Sequence, residues 1–288
     1  MIEYSRMRVL DIWHDHVNVK EMVAGLRDSD WQRRWHQQIK KEHQRNVVEH
    51  DFPRLAARRG MRPRIKDNPP LIFHLPDEGN DAFHKSATAA HYEYLESLAP
   101  HYRAIIERYK LVDIAMKVVG VGSVGTLCLI VLLMASANDS LFIQVKEANA
   151  SVLEPYAGAS EYSNHGQRIV VGQHHMQAAS DILLGWAHGK LRNRDFYARQ
   201  LRDMKMSVAV EAMNARMLKY YGRVCGRVLA RAHARSCDPA IIAGYMGNSR
   251  LFEEAIGEFA IKYSKQTDRD HEKLAEAVHK GRIEANSQ

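Results

Sequence analysis

The chain has 288 residues, enough for one large domain or two smaller ones with a buried core. Its 41 Lys and Arg against 34 Asp and Glu give a formal net charge of +7, which mildly favours anionic partners but argues against a dedicated nucleic-acid binder. Cys128, Cys225 and Cys237 lack metal-ligand spacing, and the start "MIEYSRMRVLDIW" lacks the features of a signal peptide, so we expect a cytoplasmic protein.

The first third of the chain is predicted to be mainly helical. Apolar residues three or four apart between charged ones predict helices over 7–58, and the same spacing returns over 86–115. Between them, residues 62–81 are predicted to form a loop, because Pro69 and Pro70 cannot donate backbone hydrogen bonds and restrict their neighbours.

The middle of the chain changes character and becomes rich in Val, Ile and Leu, broken by glycines and by the polar run "SANDS". This composition predicts three strands, over 117–122, 126–134 and 141–148, joined by a glycine turn and a polar turn. Three consecutive strands with short turns favour an antiparallel meander.

Helices dominate again towards the C-terminus. After a loop over 151–166 we predict a helix over 167–184 and a strand over 195–204. Apolar stripes at helical spacing then mark two helices within 211–236 and 249–266.

The uncharged segment 118–137 admits several interpretations. It has the length of a membrane span, although charged helical regions flank it and a polar turn follows at once. A dinucleotide fingerprint is disfavoured, because Gly125 leads into a strand and Lys146 stands where an acidic residue is expected. A P-loop is disfavoured as well, since the lysine that should precede Thr126 is missing.

A kinase-type lid is the interpretation that accounts for most of this segment. In such a lid a glycine-rich hairpin covers nucleotide phosphates, and a lysine on the third strand pairs with them. The run "GVGSVG" and Lys146 occur in that order and spacing, and only glycine lets a backbone approach phosphates so closely. The alternative is that Lys146 is a lysine of an edge strand with no ligand.

Several segments also carry a family resemblance, densest over residues 109–283. Together they resemble the bacterial domain-of-unknown-function family 2252, which is distantly similar to protein kinases and aminoglycoside phosphotransferases. The segments are "KVVGVGSVGT", "FIQVKEA", "SVLEPY", "GQRIVVGQHHMQAASDILLGW", "FYARQLRDMK", "LARAHARS", "IAGYMG" and "QTDRDH".

The resemblance implies roles for individual residues in binding ATP. It places Gly120, Gly122, Ser123 and Gly125 in the phosphate lid and makes Lys146 the lysine that pairs with phosphate. The strand over 195–204 would lead into an interlobe hinge, where backbone groups of Leu201 and Met204 could hydrogen-bond an adenine.

Other family features are harder to place. The helix that should supply a glutamate to the lysine has Val171 where an acid is expected, and Glu154 and Glu161 in the preceding loop are the nearest substitutes. His233, in the helix that resembles the one before the catalytic loop, is interpreted as structural.

The catalytic and metal-binding segment is the main departure from the family. Family members carry a segment that resembles "GDAHLxNFG", followed by a "DxNDFD"-like acidic stretch, and both lie before the lid. In this chain, residues 14–18 and 267–271 are the candidate equivalents, but their spacing is wrong. The catalytic residues therefore stay unassigned, no metal site is predicted, and Mg²⁺ is expected only if a missing segment or a partner supplies ligands.

These observations together predict an α+β, protein-kinase-like fold that is circularly permuted and N-terminally truncated. A β-rich small lobe at 111–206 would be inserted between helical large-lobe segments at 1–110 and 207–288. The leading functional hypothesis is a nucleotide-binding, kinase-like protein that is inactive alone, with no nucleic-acid or membrane partner expected. The alternatives are a helical interaction module and a membrane protein with one span at 118–137.

Overall fold

The computed structural model of the chain describes residues 1–25, 31–33, 35–37, 40, 55–59, 62–75, 80–120, 125–190, 193–201 and 210–285. The chain divides into two compact units, one made of Met1–Met7 with Cys237–Gln288 and the other of Arg8–Ser236. Helices and sheet are both well represented, which confirms the α+β class. The division at 110 and 206 stays a prediction.

A six-stranded antiparallel sheet is the centre of the larger unit. Its order is β3-β4-β5-β6-β8-β7, and β1 pairs with β2 in a separate hairpin. The strands are β1 Ala56–Arg59, β2 Arg62–Ile65, β3 Ile72–Phe73, β4 Lys110–Lys117, β5 Cys128–Ser136, β6 Asp139–Ala148, β7 Gly185–Gly189 and β8 Arg194–Gln200.

Both faces of the sheet are covered, which explains why β5 is an unbroken apolar run rather than an alternation. Leu129 and Val131 belong to one buried cluster, and Ile130 and Leu132 belong to another. Because successive side chains of a strand point to opposite faces, the two clusters lie on opposite sides of the sheet. We call the side of Leu129 and Val131 the helix face and the side of Ile130 and Lys146 the lysine face.

Helices surround this sheet in the larger unit. Helix α3 and Ile106 of α4 supply the helical part of the helix-face core, and α6 packs against β7 and β8. The helices of this unit whose bounds lie within the described residues are α1 Val9–His14, α2 Val19–Ala24, α3 Asn80–Ser97, α4 Pro100–Ile106, α5 Glu154–Ala157, α6 His165–Met176 and α7 Ala215–Ser236.

The smaller unit is built from helices alone within its described residues. A 3₁₀ turn at Tyr4–Arg6 contacts α8, which runs over Pro239–Met246 and is followed by the long helix α9 over Leu251–His279. Tyr4 is the buried anchor of the turn, with 3% of its surface exposed.

The N-terminus of α6 is fixed to β8 by a small hydrogen-bond network. The Asn164 side chain accepts a bond from the Gln167 amide at 2.9 Å and donates one to Asp195 at 3.0 Å. Asp195 also accepts from the His165 amide at 2.8 Å. A β-carbon at Gly166 would collide with the carbonyl of β8 beside it, so glycine allows α6 to pack this closely.

A half-buried histidine ties β2 and β3 to β4. The Nε2 atom of His74 lies 3.1 Å from an Asp113 carboxylate oxygen, and its Nδ1 atom lies 2.7 Å from Asp67. The same Asp113 carboxylate accepts the Ile65 amide at 2.6 Å. The hydrogen bond with Asp113 is the main cause that raises the pKa of His74 above its usual 6.5.

Several predicted elements are wrong in extent. The region 62–81 contains β2 and β3 rather than only loop, and the helical region 86–115 ends early because β4 begins at Lys110. Pro63 is tolerated because β2 belongs to a two-stranded hairpin rather than to the centre of a sheet. The predicted strand 117–122 begins where β4 ends, and β7 lies just beyond the predicted helix 167–184, which stops at Met176.

The second and third predicted strands are confirmed as β5 and β6, joined by the polar turn. The membrane alternative is contradicted where the structure describes it, since Cys128–Ser136 is a strand. In the described part of the chain, no helix combines the length and hydropathy needed to cross a membrane.

Candidate phosphate-binding site

The glycine segment lies between β4 and β5, two neighbouring antiparallel strands, as expected for a phosphate lid. It runs from the end of β4 at Lys117 to the start of β5 at Cys128. Gly125 has a φ of +78°, a left-handed conformation that favours glycine, and a β-carbon at Gly120 or Gly125 would meet no atom within 4 Å. The predicted lid residues Gly122 and Ser123 lie outside the described residues.

Lys146 lies on β6 at the end of the sheet where the glycine segment enters β5. Its backbone partners in the sheet are Cys128 on β5 and Tyr197 on β8, so it occupies an interior strand. The edge-strand alternative for Lys146 is therefore wrong. The side chain is half-buried, and among the described residues no carboxylate forms an ion pair with it.

A second cation stands near Lys146 on the lysine face. The Arg199 guanidinium, on β8, donates through Nε and Nη2 to the Gln144 side-chain oxygen at 3.3 and 3.2 Å. Gln144 is neutral, and no described carboxylate pairs with Arg199. The lysine face thus carries two half-buried positive charges without a negative partner in the described chain, an arrangement that is costly unless an anion compensates it.

The positive charges on the lysine face affect the pKa of the Cys128 thiol. Burial raises the pKa of Cys128 above its usual value, while Lys146, and to a smaller extent Lys117 and Arg199, act in the opposite direction. Cys128 therefore stays a neutral thiol at pH 7 in a positive environment. It also accepts a weak hydrogen bond from Gln144 at 3.7 Å.

A cavity of about 290 Å³ opens beside the described ends of the glycine segment. Lys117, Gly125, Thr126 and Cys128 contribute to its walls, together with apolar groups of β3 and β4. The cavity combines a lysine, a hydroxyl and a glycine backbone, which are the groups that hold phosphate oxygens in proteins.

Glu147 fixes the end of the glycine segment next to Lys146. Its carboxylate accepts the Leu127 amide at 2.9 Å, and its own amide donates to the Leu127 carbonyl at 2.9 Å. Arg194 Nη1 lies 2.6 Å from both carboxylate oxygens, so the charge of Glu147 is compensated there and not by Lys146. Sequence reasoning did not identify Glu147, although an acid next to the lysine in a buried strand was a visible signal.

The predicted glutamate substitutes do not pair with Lys146 in the structure. Glu154 accepts the Ser151 amide at 3.1 Å and so caps its own turn. Glu161 forms no ion pair with Lys146 in the described chain. Helix α6 has no acidic residue at all, because its sequence runs "HGQRIVVGQHHM".

Of the two predicted hinge residues, the structure describes Leu201. The Leu201 amide donates to the Phe142 carbonyl at 2.9 Å, so an adenine contact at Leu201 would have to use its carbonyl. Met204 lies outside the described residues. His233 is exposed and bonds the Leu229 carbonyl of its own helix at 2.8 Å, and its interpretation as structural stays a prediction.

No group of three or more His, Cys, Asp or Glu side chains in the described ranges is arranged to hold a metal ion. The candidate acidic segments are part of other structures. Residues 267–271 lie within α9, and Asn18, in the segment 14–18, caps α2 by accepting the Lys20 amide at 2.9 Å.

Comparison with known families adds one finding. Residues 1–277 match the family model described as an uncharacterized protein conserved in bacteria, DUF2252. The chain belongs to this family. The match confirms the resemblance drawn from the sequence motifs and covers both units of the chain. No curated protein and no solved structure matches the chain.

Proposed function

We propose that this DUF2252 protein binds ATP through a kinase-like small lobe, and that the chain by itself does not transfer the phosphoryl group. The glycine segment would cover the phosphates, and Lys146 would pair with them. Arg199 would supply a second positive charge next to the same phosphates.

The observation that carries this proposal is the pair of uncompensated cations beside the glycine segment. Lys146 and Arg199 are half-buried on one sheet face, and no described carboxylate neutralises either of them. A polyanionic ligand would supply the missing negative charge. The cavity of about 290 Å³ next to Gly125 and Thr126 is also lined by Cys128, which is the partner of Lys146 in the sheet.

The order of the parts along the chain supports a kinase-like arrangement. A hairpin with a glycine segment is followed by a strand with a lysine, then by α6, and then by β8, which pairs with the lysine strand. This is the order in which a kinase carries its phosphate lid, its lysine strand and the helix that follows. The strand predicted to lead into the hinge thus lies directly beside Lys146.

The inactivity part of the proposal follows from the acidic groups. Phosphoryl transfer requires an aspartate to orient the acceptor and further acidic or amide ligands for Mg²⁺. The described residues offer no acidic cluster of that kind, and Glu147 is already held by Arg194. We therefore propose that any catalysis needs groups that the described residues do not contain.

A thermal-shift experiment tests the binding proposal. ATP and inorganic tripolyphosphate should both raise the melting temperature, whereas adenosine should have little effect, because the described site supplies cations and no adenine contact. The shift should be clearly smaller in Lys146→Met. Lys110→Met is the matched control, since Lys110 is an exposed lysine at the other end of β4 and should leave the shift intact.

A turnover experiment tests the inactivity proposal separately. Wild-type chain with ATP and Mg²⁺ should release no phosphate above the level of a heat-inactivated sample. ATP hydrolysis that Lys146→Met abolishes would show that the chain has a complete catalytic centre and would refute this part alone.

A helical interaction module is the second candidate, and the surface of α9 favours it. Phe252, Phe259 and Tyr263 lie on one stripe of the helix and are 41%, 59% and 59% exposed, and the rings of Phe259 and Tyr263 stack with centroids 5.4 Å apart. Exposed apolar stripes of this kind are typical of protein interfaces. If this is the whole function, neither ATP nor tripolyphosphate will change the melting temperature.

A further inference from the structure

A second cavity lies on the helix face of the sheet, opposite the face that carries Lys146. It has a volume of about 370 Å³ and is bounded by α3 on one side and by β4, β5, β6, β7 and β8 on the other. Ile143 and Val145 line this cavity, whereas Gln144 and Lys146 alternate with them on the same strand and point away. The cavity therefore lies on the opposite side of the sheet from Lys146, and it shares one wall residue, Met116, with the cavity beside the glycine segment.

Small residues keep this space open between the helix and the sheet. Ala87 and Ala90 of α3 line the cavity from above, and Ala187 and Gly189 of β7 line it from the sheet. Protein interiors are close-packed, with few voids larger than a water molecule. A cavity of about 370 Å³ far exceeds the roughly 150 Å³ engineered apolar cavity that stays dry and binds benzene, and it falls within the roughly 300–1,000 Å³ range of natural ligand pockets.

The chemistry of the walls restricts the ligand. No Asp, Glu, Lys or Arg is among the described residues that line the cavity, and most of the lining is aliphatic. The Tyr94 hydroxyl already donates to the Leu183 carbonyl at 2.8 Å, so it has no proton left to donate to a ligand. His91 has no hydrogen-bond partner among the described residues, and burial lowers its pKa below 6.5, so its ring is neutral at pH 7.

We propose that this cavity binds an uncharged, mainly hydrophobic small molecule that directs a hydrogen-bonding group to the ring of His91. A charged molecule would lose its hydration without gaining an ionic partner in the described walls. A hydrophobic molecule would bury its surface against Leu129, Val131 and Ile143.

The test uses N-phenyl-1-naphthylamine, a neutral apolar probe that fluoresces on leaving water. Titration into the wild-type chain should give a saturable signal. Ala90→Phe places a ring in the cavity and should weaken probe binding at least tenfold. Ala89→Phe is the matched control, because Ala89 is the preceding residue of α3 and is not among the residues that line the cavity. This variant should bind the probe as wild type does.

The melting temperature distinguishes a filled cavity from a damaged fold. Ala90→Phe should melt at or above the wild-type temperature, because it occupies existing space; if it melts lower, Ala90→Leu adds less volume and should weaken the probe without loss of stability. Unsaturable binding to wild type, or equal binding to Ala90→Phe and wild type, would overturn the proposal, since the probe would then sit elsewhere. Lys146→Met should leave probe binding unchanged.

Discussion

The pairing of Glu147 with Arg194 gives the sharpest stability prediction, because the two partners differ so much in exposure. The Glu147 side chain is 3% exposed and the Arg194 side chain is 39% exposed. Arg194→Ala would leave a buried carboxylate without its cation. Breaking a buried pair in this way costs about 3–5 kcal/mol, whereas exposed pairs contribute about 0.2–1 kcal/mol. With one partner buried and the other partly exposed, we expect a loss of about 2–3 kcal/mol.

The measurement is urea unfolding followed by circular dichroism, with Glu147→Gln as the companion variant. Glutamine can still accept the Leu127 amide, and the guanidinium left behind is partly solvated, so Glu147→Gln should cost clearly less than Arg194→Ala. A cost below about 1 kcal/mol for Arg194→Ala would put this pair with exposed ion pairs and refute the reasoning. Equal costs for the two variants would do the same.

Three further stability predictions follow from single groups. The pKa of His74 is raised, mainly by its hydrogen bond with Asp113, so the contribution of His74 to stability is complete below pH 6.5 and is lost as pH rises through the folded-state pKa. Between pH 6 and pH 8, the free energy of unfolding should therefore fall less for His74→Gln than for wild type. Equal falls would contradict this. Arg231 is 7% exposed, its Nε atom has no hydrogen-bond partner, and no described residue forms an ion pair with it. Arg231→Leu should therefore raise the free energy of unfolding by about 1–4 kcal/mol. A lowered melting temperature would show that the charge of Arg231 is compensated. Gly166→Ala should cost about 1–3 kcal/mol of stability, because α6 would have to move away from β8. Gly172→Ala lies in open space on the same helix and should stabilise the protein by up to about 1 kcal/mol. Similar effects of the two substitutions would show that the close approach of α6 to β8 does not require glycine.

The sequence predicted the centre of the fold well because local and long-range signals agree there. The apolar runs of β5 and β6 are separated by a polar turn, and pairing between these strands satisfies both. Helix α7 was also predicted, since Met217 and its neighbours form an apolar stripe at helical spacing. In these elements the local sequence pattern favours the same conformation that the tertiary contacts stabilise.

The prediction failed at elements whose conformation is set by their partners. In β4, Leu111, Ile114 and Ala115 have helical spacing, yet the segment pairs with β5 and buries Asp113 against β2 and His74. A buried carboxylate inside a strand has no local signature. Strand β7 is short and contains Gly185 and Gly189, which are disfavoured in strands unless a neighbouring element approaches closely.

The candidate site was predictable only in part for a similar reason. The order of glycine segment and Lys146 was visible in the sequence, as was the absence of an acid in the following helix. Arg199 was missed because it comes from β8, more than fifty residues further along the chain, and only the pairing of β8 with β6 brings it to the lysine face. The apolar cavity was missed because it depends on which small residues of α3 and β7 face each other.

The most direct test of the central claim is the calorimetric dissociation constant of ATP for wild type, Lys146→Met and Lys110→Met. A charged hydrogen bond contributes about 1.5–3 kcal/mol, so the loss of Lys146 should weaken ATP binding by roughly ten- to 150-fold. Lys110→Met should bind as tightly as wild type. Equal affinities of wild type and Lys146→Met, or no heat of binding for wild type, would contradict a phosphate site at Lys146.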